Sequence, residues 1–447
     1  MIKNKYRLKE RRLNRVLSLI VILLISITVQ AQQLSLEQCI DTALIYNRNI
    51  KLSQHDVEIS TEKNREIKGN LLPKLNGIAD YRYYTDLPYQ IMPAAAFGGP
   101  EGTYKEVQFG VPHSMNANLQ LALPLFNSTA LNAIKSTRIA TELSAIQKTK
   151  TDEDVVLEVS NAYYNAQILL TQITFLDSNI INTGKLVKTT TLLYQQQIAK
   201  GTDVDRLKLQ VDQITTQRST VITQYQQVLN ALKFLMGKPI SDSIEVLITH
   251  ETIVKPGFVS QNTTDVLLID KKIELNNSEL SGLRNLRLPS LSAYGFYGTT
   301  GFGTTGDNSV FIFHPIGYVG AQLSVPLFNG RITHHKIVSK KIEIEKSNIQ
   351  KELITEKSKL DLKNVEMQYS LATKNISVVS SQIDLAKKIY NNTILQNQQG
   401  VANITDLLLA DNALRESQQN YLVALVNLRR AELEYKRVTG NLITMKN

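Results

Sequence analysis

The chain has 447 residues, with 50 Lys and Arg against 40 Asp and Glu, six His, one Cys and no Trp, for a formal charge of +10. Cys39 as the sole cysteine excludes an intramolecular disulfide and any cysteine cluster for zinc or iron–sulfur. The basicity is mostly local: Lys3, Lys5, Arg7, Lys9, Arg11, Arg12 and Arg15 face only Glu10 in the first 31 residues, which leaves about +4 for the rest, and no basic run alternating with aromatics speaks for a nucleic-acid partner.

That basic stretch precedes an apolar run from Val16 to Val29 and a Val29-Gln30-Ala31 site, the pattern of a secretory signal peptide (residues 1–31) cleaved after Ala31. An uncleaved anchor would need about twenty apolar residues, more than this run supplies. Further on there is no apolar run of spanning length, so any entry into a bilayer must be through strands of a closed barrel. Cys39 follows the expected cleavage point by eight residues and reads as a small buried helix residue, not a lipid attachment.

Residues 34–70 carry helical spacing through Ile40, Leu44, Ile50, Val57 and Ile59, with Ser35 as the cap and Glu37 suited to the positive helix end. The helix is expected to stop near Gly69 and Pro73. From Leu75 the period changes to two, loosely over 75–86 and cleanly in a partner where Met115, Ala117, Leu119, Leu121, Leu123 and Leu125 alternate with Asn116, Asn118, Gln120 and Ala122. A half-buried soluble sheet would show the same alternation. Strands of about ten residues with an uncharged apolar face favour a bilayer crossing, and the Pro-, Gly- and Ala-rich stretch 87–107 reads as an exterior loop.

Pro124 then marks the switch to a helix expected over 128–199, a rod of about 105 Å at 1.5 Å per residue. Its seam is expected at Ile173, Ile180, Val187 and Tyr194. The chain turns at Gly201 and returns through Val204, Leu207, Val211, Ile214, Val221, Tyr225, Val228, Leu232 and Leu235, interrupted by Arg218, as an antiparallel coiled coil. Residues 238–262 look like a connection.

The plan then repeats. LQLALPLF at 119–126 recurs as AQLSVPLF at 321–328. A helix is expected over 265–286, a strand through Leu291, Ala293 and Tyr297, a loop at 298–309, a strand through Val319, Ala321, Leu323, Val325 and Leu327, a corner at Pro326 and a second rod over 332–397 containing Ile376, Ile383 and Tyr390. It turns at Gly400 and returns through Ile404, Leu407, Leu414, Tyr421, Leu425, Leu428 and Tyr435. A period near 200 describes two halves of one object, 32–237 and 263–447, and is too long for a solenoid. Four strands cannot close a barrel, so an oligomer is required.

LSLEQCIDTALIYNRNI, the LLPKL and LRLPSL corners, the paired LPLFN and VPLFN corners, GTDVDRL, GVANITDLLLADNALRESQQNYL, MGKP and VTGNL occur in an order and spacing that resemble the TolC family of outer-membrane efflux channels over 34–442. The resemblance implies a mainly α fold with a small transmembrane β part. In it, a homotrimer builds one 12-stranded outer-membrane barrel from four strands per chain, continuous with an α-barrel in the periplasm. It implies a passive exit duct of a tripartite efflux pump or type I secretion system, joined through a periplasmic adaptor to an inner-membrane pump of RND or ABC type. The hairpin turns would form the periplasmic tip, making Gly201, Thr202, Asp203, Val204, Gly400, Val401, Ala402 and Asn403 candidate adaptor contacts. Carboxylates just inside the tip point to Asp406, with Asp411, Asp205 and Asp203 as further pore-lining candidates. The family's second carboxylate falls on Leu409 here, and its basic locking residue has no match at Ala402. Helix capping is the competing role for these acids.

Enzymatic chemistry finds no support. His55, His113, His250, His314, His334 and His335 lack metal-ligand spacing, and Gly301, Gly303 and Gly306 lack the strand-to-helix setting of a phosphate loop, so no catalytic residue, cofactor or metal is expected. A soluble periplasmic coiled-coil adaptor or spacer is the alternative from another class.

Overall fold

The computed structural model describes residues 32–247, 263–304 and 311–442. The expected signal peptide, residues 248–262 of the connection and the end of the 298–309 loop lie outside the described residues. Two compact bodies divide the chain, and each draws on both sequence halves: residues up to 52, 149–263 and 356 onward form one, and 53–148 with 264–355 form the other.

In the first body, β1 (Gln32–Leu34) pairs in parallel with β6 (Ile244–Val246), an element within the stretch read as a plain connection. Helix α1 (Leu36–Tyr46) starts where Ser35 directs it: Ser35 Oγ accepts from the Gln38 amide at 3.2 Å, and the Gln38 side chain accepts from the Ser35 amide at 3.0 Å. The expectation of one helix through residue 70 is corrected at Asn47. Its side chain donates to the Leu235 carbonyl at 2.6 Å and accepts from the Asn49 amide at 2.8 Å, which ends one helix and starts α2 (Arg48–Gly69).

Leu34, Leu36, Cys39 and Ile40 pack here against Val155, Val156, Val159 and Tyr163 of α3 (Ser128–Gln195) and Leu229 and Leu232 of α4 (Gly201–Leu235). Each such side chain contributes about 1.5–3 kcal/mol. Tyr163 ties the small sheet to this core, its hydroxyl donating to the Leu34 and Leu247 carbonyls at 3.1 Å each. Burial pushes the Cys39 thiol up to about 12, against a small opposing pull from Lys238, so this cysteine is a packing group and not a nucleophile.

The two helical hairpins are α3 with α4 and α6 (Ile332–Gln398) with α7 (Ile404–Val438). The seam of α3 is shifted from the expected one: Leu176, Thr183 and Thr190 are buried at seven-residue steps, Ile173, Ile180 and Val187 are half-buried, and Tyr194 is exposed. Two of the three seam positions hold threonine, which hid the true stripe beside a more apolar neighbour. On α4 the expected Val204, Leu207, Ile214, Val221, Tyr225 and Leu232 are buried, and Arg218, which breaks the pattern, pairs with Asp177 of α3.

The second body contains an antiparallel sheet in the order β2 (Lys74–Tyr83), β5 (His113–Phe126), β7 (Ser290–Gly303), β8 (Ile312–Ser324). The loop expected over 87–107 is corrected: it folds into its own hairpin of β3 (Tyr89–Pro93) and β4 (Tyr104–Gln108). Residues 298–303, also read as loop, extend β7. Pro124 is no helix start. It lies inside β5 at a register shift before Phe126, where the missing donor costs little, and α3 is begun instead by Asn127, whose side chain accepts from the Ala130 amide at 3.0 Å.

Helices of this body are joined side by side in the same order as the strands they adjoin. Asn64 of α2 donates to Thr137 Oγ1 of α3 at 2.7 Å; Asn132 of α3 donates to the Ser278 carbonyl of α5 (Thr264–Asn285) at 2.7 Å; Asn276 of α5 donates to Ser347 of α6 at 3.2 Å. Ion pairs Lys271–Glu142 at 2.7 Å and Lys340–Glu279 at 2.8 Å cross the same seams. Gly282 permits the close approach, since a Cβ there would lie 2.6 Å from Asn132 Nδ2.

Candidate functional site

Register fixes the two faces of the sheet. Directly paired residues share a face, so Leu75, Leu121, Gly295 and Val319 stand in one row, and Gly77, Leu119, Tyr297 and Gly317 in the next. This face is apolar along its middle and ends at one margin in Tyr81, Tyr83 and Phe313 beside His113, the aromatic rim of a bilayer-crossing strand. The opposite face carries Asn76, Gln120, Asn118, Asn116 and Asp80 in successive rows. Strands β2 and β8 each have one edge without a partner among the described residues. In hydrocarbon such edges are intolerable, so further strands must close them.

The hairpin turns of the first body share a backbone motif. At the end of α3 the Ile198 amide donates to the Leu193 carbonyl at 2.9 Å and the Gln197 amide to Tyr194 at 2.9 Å, with Gln197 left-handed at φ 63°. At the end of α6 the Val401 amide donates to Gln396 at 2.9 Å and the Gly400 amide to Asn397 at 3.0 Å, with Gly400 left-handed at φ 76°. Both are Schellman ends. The expected match of Gly201 to Gly400 is therefore corrected. Gln197 is the equivalent of Gly400, while Gly201 is the first residue of α4, where a Cβ would meet the Tyr194 ring at 3.4 Å.

The same register pairs Lys200 with Asn403 and Asp203 with Asp406. Asn403 caps α7 fully: its side chain accepts from the Asp406 amide at 2.9 Å, and Asp406 accepts from the Asn403 amide at 3.1 Å. Lys200 provides no side-chain cap to α4. Asp406 is exposed as well as capping, Asp205 is exposed, and Asp203 is half-buried. Val204, a candidate adaptor contact, is instead buried in the hairpin, and the exposed apolar side chains of the turns are Ile198 at 70% and Val401 at 76%. Ile198 lies three residues before Gly201, outside the turn that the glycine marks in the sequence.

Asp411, expected to line a pore, is corrected to an interior residue at 3% exposure. It accepts a short hydrogen bond from the Gln210 side chain of α4 and pairs with Arg415 at 3.1 Å, so it joins the two hairpins. Asn179 of α3 donates to Gln418 of α7 at 2.9 Å two turns further along, and Tyr390 packs alongside with Leu407, Ala410 and Leu414. Burial raises the Asp411 carboxyl, with Arg415 and the Gln210 amide pulling the other way. The Tyr390 hydroxyl is pushed up to about 12 by burial and by the nearby Asp411 charge, opposed by Arg415. Among the described residues no helix is long and apolar enough to cross a membrane, and no group of three or more His, Cys, Asp or Glu could hold a metal ion.

An open-edged sheet with one apolar face is what a subunit contributing strands to a shared barrel presents. The profile of the family described as outer membrane efflux protein matches residues 39–238. The chain is 19% identical over 319 residues to the outer membrane protein TolC of Salmonella enteritidis, a match covering 69% of this chain and 62% of that protein. Its fold is similar to that of VceC from Vibrio cholerae (TM-score 0.73, 14% identity, 91% and 96% of the two chains). It is also similar to the open state of the MtrE channel of Neisseria gonorrhoeae (TM-score 0.71, 17% identity, 91% and 89%). Over residues 39–238 the chain is thus similar to the outer membrane efflux protein family, and its fold is that of the channels VceC and MtrE.

Proposed function

We propose that three copies of this chain form the passive exit duct of a tripartite efflux pump or type I secretion system. The observation that carries the reading is the four-stranded sheet with two open edges. Three such sheets supply twelve strands, enough to close a bilayer barrel where four cannot. A periplasmic adaptor docks at the hairpin turns, where Ile198 and Val401 offer exposed apolar side chains beside Thr202, Gly400 and Ala402. An inner-membrane pump of RND or ABC type supplies the energy, and cargo selection lies with that pump. Exposed Asp406, with Asp203 at the equivalent position of the first hairpin, places carboxylates near the entrance and biases the lumen toward cations.

The test is single-channel conductance of the purified protein in planar bilayers, with its mass measured in detergent. A trimer with discrete, cation-selective steps is expected, and Asp406→Lys should shift the reversal potential toward anions. An unchanged potential removes Asp406 from the lumen. A water-soluble species without conductance overturns the duct and favours a periplasmic spacer.

A further inference from the structure

The second strand-to-helix corner is built differently from the first. After β8 the chain passes through Val325, Pro326, Leu327, Phe328 and Asn329, then through Gly330 and Arg331, both left-handed at φ 63° and 65°. A cleft of about 270 Å³ opens there, lined by Arg287, Arg331 and His334 together with Leu286, Leu327 and Phe328, with no carboxylate in its wall. Neither guanidinium has an acidic partner among the described residues. Leu327 is 92% exposed and Phe328 84% exposed; the strand expected through Val325 and Leu327 ends at Ser324, so both follow the end of β8, whose apolar face carries Val319 and Leu323.

The duplicated first corner serves as an internal control. There LLPKL stands where the second has LRLPSL, so Leu71 occupies the place of Arg287, and LPLFN continues into Ser128 and Thr129 where Gly330 and Arg331 follow VPLFN. Its one cation, Lys74, is engaged by Asn70 Oδ1 at 3.1 Å. Fold duplication therefore does not require the arginines.

We infer that this corner is a binding site for an anionic phospholipid of the adjoining leaflet, its phosphate held by Arg287 and Arg331 and its acyl chains lying against Leu327, Phe328 and the apolar face of β8. Guanidinium matches a phosphate diester with paired donors, and a cleft lined by both arginines and large apolar side chains fits an amphiphile, where a free anion would leave the apolar lining unused. Its position at the end of a bilayer-length strand is the depth of the headgroups. The inference rests on the membrane reading of the sheet.

Native mass spectrometry of the delipidated protein in detergent, titrated with phosphatidylglycerol or phosphatidylcholine, tests it. Preferential binding of phosphatidylglycerol is expected, falling on the order of thirtyfold in the Arg287→Gln/Arg331→Gln variant. Arg287→Lys/Arg331→Lys should retain part of it, and oligomeric mass in the same spectra reports folding. Equal binding of the two lipids, or full displacement by inorganic phosphate, overturns the lipid site. Loss of the oligomer in the Gln variant in both lipids makes the corner a seam between copies and also overturns it. A chain that stays soluble and monodisperse without detergent removes the membrane reading, and this inference with it.

Discussion

At the end of α3 the left-handed position is filled by Gln197, and at the end of α6 it is filled by Gly400. One residue before each returning helix stand Lys200, which does not cap, and Asn403, which does. Where α7 carries buried Asp411, α4 carries exposed Lys208 at the equivalent position. The two hairpins thus share a backbone and differ in the side chains that enforce it. The second has a strain-free turn, a closed cap and an interior polar tie, while the first has a turn held against its own propensity. The duplication preserved geometry and let the local energetics diverge, which leaves the first turn the softer of the two.

The largest effect should come from the interior tie. Asp411→Ala leaves Arg415 without its acidic partner and Gln210 without its acceptor, and should cost about 3 kcal/mol in denaturant melts of the helical signal. Lys208→Ala should stay within about 0.5 kcal/mol. Equal losses would erase the asymmetry. The raised carboxyl of Asp411 also fixes a sign. The folded state holds this proton to higher pH than the unfolded chain, so the associated stability is complete below the unfolded value and is lost as pH rises through the folded one. Acidification from neutral toward the ordinary carboxylate range should tighten the hairpin junction, and Asp411→Asn should flatten that response.

Next in size are the turns themselves. Gly400→Val forces a β-branched residue into the left-handed region and should cost about 1–2 kcal/mol, whereas Gln197→Gly should stabilise by up to about 1 kcal/mol. If both changes destabilise, the equivalence of the two positions fails. The smallest effects are those of the caps: Asn403→Ala should lose about 1 kcal/mol, and Lys200→Asn should gain somewhat less. Proteolysis of the turns under native conditions provides the readout, with the first turn cut faster in the parent protein and more slowly once capped.

Strand identity and face were legible because alternation survives from Met115 to Leu125 with no charge to blur it. The helices were legible as well, since Leu207, Ile214, Val221 and Leu232 keep their spacing. What escaped was set by polar residues in apolar roles. Thr183 and Thr190 mark the seam of α3 but read as surface. Asp411 and Gln418 fill seam positions between Leu407, Leu414, Tyr421 and Leu425, so that a carboxylate read as pore-lining is an interior group. The turn register was misread because Gly201 is a glycine and Gln197 is not, although the TD pairs Thr202-Asp203 and Thr405-Asp406 align the two segments without any glycine. The hairpin within 87–107 has no alternation strong enough to distinguish it from a loop.

The side-by-side row of α2, α3, α5 and α6 is one helix thick and held across its seams by Asn, Ser and Thr. A wall of that kind has no interior of its own, and in the proposed trimer neighbouring copies would enclose one. Folding and assembly then become a single concentration-dependent equilibrium. In the proposed trimer, chains short of partners would keep this layer open and accessible to proteases.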